Sequence, residues 1–76
     1  MEPIIIHSRN IKPITKREYR DQGDHYITVL VFNQLPDYMV PLQITDLVDI
    51  ITEDGICRVI VIQVDFLDVM AVVWKG

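Results

Sequence analysis

Three carboxylates of this chain have a spacing that could support chemistry. Asp46, Asp49 and Glu53 lie three and four residues apart, and residues at that spacing share one face of a helix. An acidic face of this kind can bind a cation or a partner. A solvated helix surface has the same pattern, and we interpret the stripe in that way.

A second acidic pair, Asp65 and Asp68, flanks Phe66 and Leu67. Two neighbouring carboxylates can act as general acid and base. No His or Lys lies near this pair in the sequence, however, and acids are common in turns because they hydrogen-bond to the local backbone. We therefore interpret Asp65 and Asp68 as the flanks of a hairpin turn.

The thiol and imidazole groups do not indicate catalysis or metal binding. Cys57 is the single cysteine and lies in an apolar run, which predicts an inert core thiol. His7 and His25 have no third ligand at a recognisable spacing. The sequence contains no nucleotide-binding glycine pattern and no nucleophile elbow. It therefore predicts a protein that is not an enzyme and that holds neither a metal nor a cofactor.

The composition indicates a small aliphatic domain. The chain has 76 residues, of which 50% are hydrophobic and 8% aromatic, and we expect a single domain over residues 1–76. A core of this size leaves a thin margin of stability, which a partner subunit would increase. The sequence shows no signal-peptide pattern, and polar residues interrupt its most apolar stretch. We expect a cytoplasmic protein that does not enter membranes.

Charge is distributed unevenly along the chain. Residues 1–24 contain five basic and four acidic groups, a net charge of +1, whereas residues 25–76 contain two basic and seven acidic groups, a net charge of −5. The net negative charge of residues 25–76 argues against binding to duplex DNA, whose phosphates are also negative. The basic segment still permits an alternative, single-stranded nucleic-acid binding, in which cations follow the phosphates and tyrosines stack on bases. The residues of that alternative are Lys12, Lys16, Arg17, Arg20, Tyr19 and Tyr26.

The elements that must position these groups follow from the apolar stretch between Ile56 and Trp74. Its β-branched residues favour strands over a helix. We predict strands at 26–33, 56–64 and 69–74, apolar on both faces and therefore in the middle of a sheet. A short edge strand is predicted near 4–6 and a half-exposed strand at 11–19. The turn at Asp21 to Asp24 contains Gly23 and predicts a hairpin.

A helix is predicted over residues 45–53. Ile44, Leu47, Val48 and Ile51 fall on one helical face, Thr45 suits the N-cap, and Gly55 suits the C-terminal end. The alternative is a hairpin in which 48–51 pairs with 56–59 through an Asp-Gly turn.

These elements predict an α+β fold, a mainly antiparallel sheet of four to five strands with one short helix on one face. The alternative is a small β-barrel of the SH3 or OB type. One helix cannot cover two apolar sheet faces, so we predict a protein-protein interaction or assembly module that acts through an apolar sheet face. Its partner is a second copy, in a homo-oligomer, or a larger protein. Met39, Met70 and Trp74 are the candidate contact residues, because Met adapts its shape and Trp contributes a large area.

Overall fold

A computed structural model describes residues 2–20, 26–35, 41–66 and 68–74 of the chain. The predicted turn at 21–24 and the contact residue Met39 lie outside these ranges. The described residues form six strands and one 3-10 turn, and none of them is in an α-helix. The elements are β1 (Ile4–His7), the 3-10 turn (Ser8–Asn10), β2 (Ile11–Arg20), β3 (Tyr26–Gln34), β4 (Leu47–Thr52), β5 (Gly55–Asp65) and β6 (Asp68–Val73).

The strands form one curled, mixed sheet with the order β1-β4-β5-β6-β3-β2, which makes a half-barrel. Only β1 and β4 are parallel; the other four neighbouring pairs are antiparallel. The sheet places β1 and β2 at its two edges, although only Ser8–Asn10 separates them along the chain. The sheet must therefore curl to bring these edges together at the 3-10 turn, where the Leu35 N–H donates to the Asn10 carbonyl at 3.1 Å.

The predicted α+β fold is wrong, because residues 45–53 form a turn and a strand instead of a helix. Leu47–Thr52 pairs antiparallel with β5, with Thr52 opposite Gly55. The Thr52 hydroxyl accepts the Asp54 N–H and donates to the Gly55 carbonyl, each at 3.2 Å. This pairing is the hairpin that the sequence offered as its alternative. The closed SH3- or OB-type barrel linked to it is not formed either, because the sheet is a half-barrel.

Thr45, the predicted N-cap, also has another role. Its φ of 77° is left-handed, which is rare for a β-branched residue, and its N–H donates to the Val61 carbonyl at 2.8 Å. The Asp46 carboxylate accepts the Gln43 N–H at 2.8 Å. The hydrogen bond between Gln43 and Asp46 closes a tight turn that leads into β4, and the Thr45 hydrogen bond joins this turn to β5.

The core fills the concave side of the sheet. Its buried side chains come from all six strands and from Leu42, and Phe32 is the largest of them at 1% exposure. Leu42 is held over the core by a hydrogen bond from its N–H to Gln34 Oε1 at 3.3 Å. The prediction that the central strands are covered on both faces is wrong for β5, because Ile56 is 68% exposed and Ile62 is 43% exposed.

Two bulges set which side chains enter the core. The register of β5 against β6 shifts between Val61 and Gln63, so that Val61 and Val64 both face the core while Ile62 and Gln63 both face out. A second shift lies between Lys12 and Thr15 in β2. Pro13 explains it, because proline cannot donate a ladder hydrogen bond and is confined to edges and bulges.

No helix among the described residues is long and apolar enough to cross a membrane.

Candidate functional site: the convex sheet face

The outer surface of the half-barrel has an apolar centre. Val59 and Val61 are buried in the core, so alternation directs Ile60 to the outside. Ile60 lies opposite Val72, and Val72 lies opposite Val29. Directly opposed residues share a face, and these three side chains therefore form a continuous row across β5, β6 and β3.

A second row runs beside the first, in which Met70 lies opposite Val31. The β5 bulge adds Ile62 to this side, and Trp74 continues β6 with its N–H donating to the Arg58 carbonyl at 2.8 Å. Trp74 is 47% exposed. We call the outer side of the sheet the convex face. Its accessible apolar side chains are those of Val31, Ile60, Ile62, Met70, Val72 and Trp74, whereas Val29 on the same side is only 5% exposed.

An ion pair joins β4 and β5 on the convex face. Asp49 in β4 lies directly opposite Arg58 in β5. Arg58 Nε donates to Asp49 Oδ1 at 2.7 Å, and Nη2 donates to Oδ2 at 3.1 Å. The planar guanidinium thus meets the carboxylate with two parallel bonds. These hydrogen bonds, aided by the positive charge and opposed by desolvation, hold the pKa of Asp49 below its ordinary value of 3.8.

This ion pair predicts a specific dependence of stability on pH. A group whose pKa is lower in the folded protein stabilises the fold above its ordinary pKa, and that contribution is lost as the pH falls through the folded value. We expect wild-type protein to be more stable than Asp49→Asn above pH 3.8, with the difference shrinking at lower pH. Urea unfolding at several pH values measures this difference. Asp54→Asn, the same change in an exposed turn, is the control, and a difference that grows on acidification would contradict the prediction.

The predicted acidic helix face does not exist. In place of a helix, Asp46 closes the turn before β4, Asp49 pairs with Arg58, and Glu53 lies exposed in the β4–β5 turn. The three carboxylates therefore have separate environments. No group of three metal-binding side chains occurs within the described ranges.

The predicted contact residues fall into two classes. The structure places Met70 and Trp74 on the convex face, on the same side of β6. Met39 lies outside the described residues.

Sequence reasoning missed Ile60, Ile62 and Arg58 as surface residues, because the unbroken β-branched pattern of β5 does not reveal which side faces out. Arg58 was the available signal, since a charged side chain opposes burial and marks its side of the strand as the outer one.

The basic segment forms the edge strand β2. Lys16 lies opposite Leu30, a core residue, whereas Arg17 lies opposite Val29 of the convex face. These two cations therefore belong to opposite faces of the sheet. Lys12 is exposed; Tyr19, Arg20 and Tyr26 lie in β2 and β3, and their side chains are outside the described set. Nucleic-acid binding stays a prediction, testable with a labelled oligonucleotide at low salt.

A cleft opens on the concave side, where the sheet does not close. Its volume is about 320 Å³, and it runs between β2 and the ends of β4, β5 and β6. Its lining residues are Lys16, Thr28, Leu30, Ile50, Thr52, Cys57 and Val73. The Cys57 side chain packs against the core but is partly exposed at this cleft. The inertness of its thiol stays a prediction.

The β5–β6 hairpin ends in the predicted acidic turn. Asp65 lies directly opposite Asp68, and Asn33 Nδ2 donates to Asp68 Oδ1 at 2.8 Å. Asp68 is thus held by a neighbouring strand, as expected for a structural turn acid. Phe66 between them is 92% exposed.

No family model matches this chain, and neither a curated protein nor a solved structure matches it significantly.

Proposed function

We propose that this protein is a non-enzymatic interaction module that self-associates through the convex face. The observation that carries the proposal is the apolar continuity of that face, where Ile60 and Val72 lie opposite each other beside the exposed side chains of Ile62 and Trp74. Contiguous exposed apolar patches usually mark association sites.

The charges in and around the face support a second copy as the partner. The chain has a net charge of −4, which opposes self-association in general. Within the face, however, Asp49 and Arg58 neutralise each other. The central contact area therefore adds no net charge, and its ion pair supplies polarity without repulsion.

The borders of the face carry opposite charges. Arg17 continues the row beyond Val29, and Asp65 and Asp68 lie beyond Met70 at the hairpin end. A two-fold axis in the plane of the face, at about 45° to the strands, sets the basic border of each copy against the acidic border of the other. The strands of the two sheets then cross at about 90°, a known mode of sheet packing, and the same patch is used twice.

The test is the mass of the protein in solution at low micromolar concentration, measured by light scattering after gel filtration. We expect a mass above the 8.9 kDa of one chain. Dilution should also lower the melting temperature, because association stabilises only the folded state.

Two outcomes would contradict this proposal. A monomer whose melting temperature is independent of concentration would show that the convex face does not self-associate. A monomer that has fixed tertiary structure and binds a hydrophobic dye strongly would indicate a different protein as the partner of this face.

A further inference from the structure

The tip of the β5–β6 hairpin combines backbone strain with an exposed aromatic ring. Phe66 has a φ of 56°, a left-handed conformation that is unfavourable for bulky L-residues and that glycine or asparagine adopts more easily. Its ring is 92% exposed, so the fold gains little burial from it. Because burial of the ring does not offset the backbone strain at Phe66, the residue indicates a role outside its own domain.

The concave cleft is a suitable receptor for such a ring. Leu30, Ile50 and Val73 give it apolar walls, and its volume is about 320 Å³. A cavity of about 150 Å³ lined by apolar side chains already binds benzene, so the cleft has room for a phenyl ring. Lys16 adds a cation to the lining.

The tip and the cleft also match in charge. Asp65 and Asp68 flank Phe66, and these carboxylates complement the amine of Lys16. Glu18, two residues further along β2, is not among the lining residues of the cleft. The tip, an apolar ring between two carboxylates, is therefore complementary in polarity and charge to the cleft, which has apolar walls and one amine.

One chain cannot make this contact with itself. Cys57 of the cleft and Phe66 of the tip lie at opposite ends of β5, and nine residues of strand span about 30 Å. We propose that the Phe66 tip of one copy inserts into the Lys16-bordered cleft of another copy, in a head-to-tail contact. Such a contact forms rings or filaments, according to whether its rotation closes. Asp65 and Asp68 also border the convex face, but the Phe66 ring and the Lys16-bordered cleft are not part of that face, so this contact does not depend on self-association there.

The experiment mixes two full-length variants, each of which retains half of the contact. The donor, Lys16→Glu, keeps the tip and loses the cation of the cleft; the recipient, Phe66→Asn, keeps the cleft and loses the ring. The readout is alkylation of Cys57 in the recipient, followed by mass spectrometry because the two chains differ in mass. A donor present at twice its dissociation constant should slow this alkylation about threefold by mass action. One ring buries far less than a stable interface of about 1,200 Å², so the donor is titrated to about 1 mM, a range of weak affinity.

The matched control donor carries both Lys16→Glu and Phe66→Asn, and it should give no protection. Equal protection by this control, or none by the donor over the whole titration, would overturn the proposal. A charge reversal provides an independent measurement: a donor with Asp65→Lys should protect a recipient with Lys16→Glu and Phe66→Asn better than a donor with the native tip does.

Phe66→Asn alone separates this contact from structural effects and from the convex face. Relief of the left-handed strain should raise the melting temperature by about 4 °C or more, while the head-to-tail contact is lost. Self-association at low micromolar concentration should be unchanged. A variant that is less stable than wild type, or that fails to self-associate at that concentration, would contradict the assignment of Phe66 to a separate contact.

Discussion

The substitution Ile62→Lys is expected to convert the self-associated protein into a folded monomer at low micromolar concentration. Ile62 is 43% exposed on the convex face, so the lysine amine reaches water in the monomer. In a two-fold contact each copy contributes one such lysine, and a buried, unpaired charge at an interface costs several kcal/mol. Association should weaken by at least about 100-fold.

Trp74→Ala tests the same surface without adding charge. Trp74 is 47% exposed, and truncating an aromatic anchor in a contact costs about 2 kcal/mol or more, which is about 30-fold in affinity. The dissociation constants of both variants are measured by sedimentation over a dilution series. Ile44→Lys is the matched control, because Ile44 is an isoleucine 57% exposed and outside the strands.

The control defines what would contradict the convex-face assignment. Ile44→Lys should associate like wild type. If it dissociates as strongly as Ile62→Lys, added charge alone drives dissociation and the convex face has no special part in it. If neither face variant changes the dissociation constant, self-association uses another surface.

Phe32→Ala is expected to have the largest effect on folding. Phe32 is 1% exposed, the largest of the fully buried side chains, and it lies opposite Val69 at the centre of the concave side. Removing a buried phenyl ring costs about 3–5 kcal/mol. At about 0.05–0.15 kcal/mol per residue, the whole chain is stabilised by only about 4–11 kcal/mol. The variant should therefore be unfolded or close to unfolding at room temperature.

The neighbouring residue provides the control for this prediction. Val31 lies next to Phe32 in β3 but faces the convex side, opposite Met70. Val31→Ala should leave the urea midpoint of the monomer nearly unchanged and weaken association instead. If the two alanine variants lose equal stability, the division of β3 into a core side and a contact side is wrong.

Local sequence was sufficient to locate most of the strands. The β-branched runs of β3, β5 and β6 favour extended backbone whatever their neighbours are, and the predicted ranges of these strands agree with the structure to within one or two residues. The reversal between Asp65 and Asp68 was also predictable, because polar turn residues interrupt an apolar pattern there.

Residues 47–52 show where local sequence was insufficient. Their apolar residues fit a helical face as well as a strand, and Thr45 and Gly55 resemble helix ends. Pairing with β5 decides the outcome, because six residues opposite a central strand complete the backbone hydrogen bonds of β5. A helix in this segment would leave that edge of β5 unpaired. Intrinsic secondary-structure propensity does not include the free energy of pairing with a distant strand such as β5.

For the candidate site, too, the sequence determined one part and the tertiary structure the other. The sequence alone determined that the chain has more apolar strand surface than a single helix can cover. It also predicted Met70 and Trp74 as contact residues, and the structure places both on the convex face. Only the tertiary structure decided which side of each strand is left outside. The curl of the sheet buries one face, and one extra residue at the β5 bulge changes the side on which the following residues point, so that Gln63 turns out and Val64 turns in. A bulge depends on the register between two strands, and an aliphatic sequence that reads equally well on both faces does not specify that register.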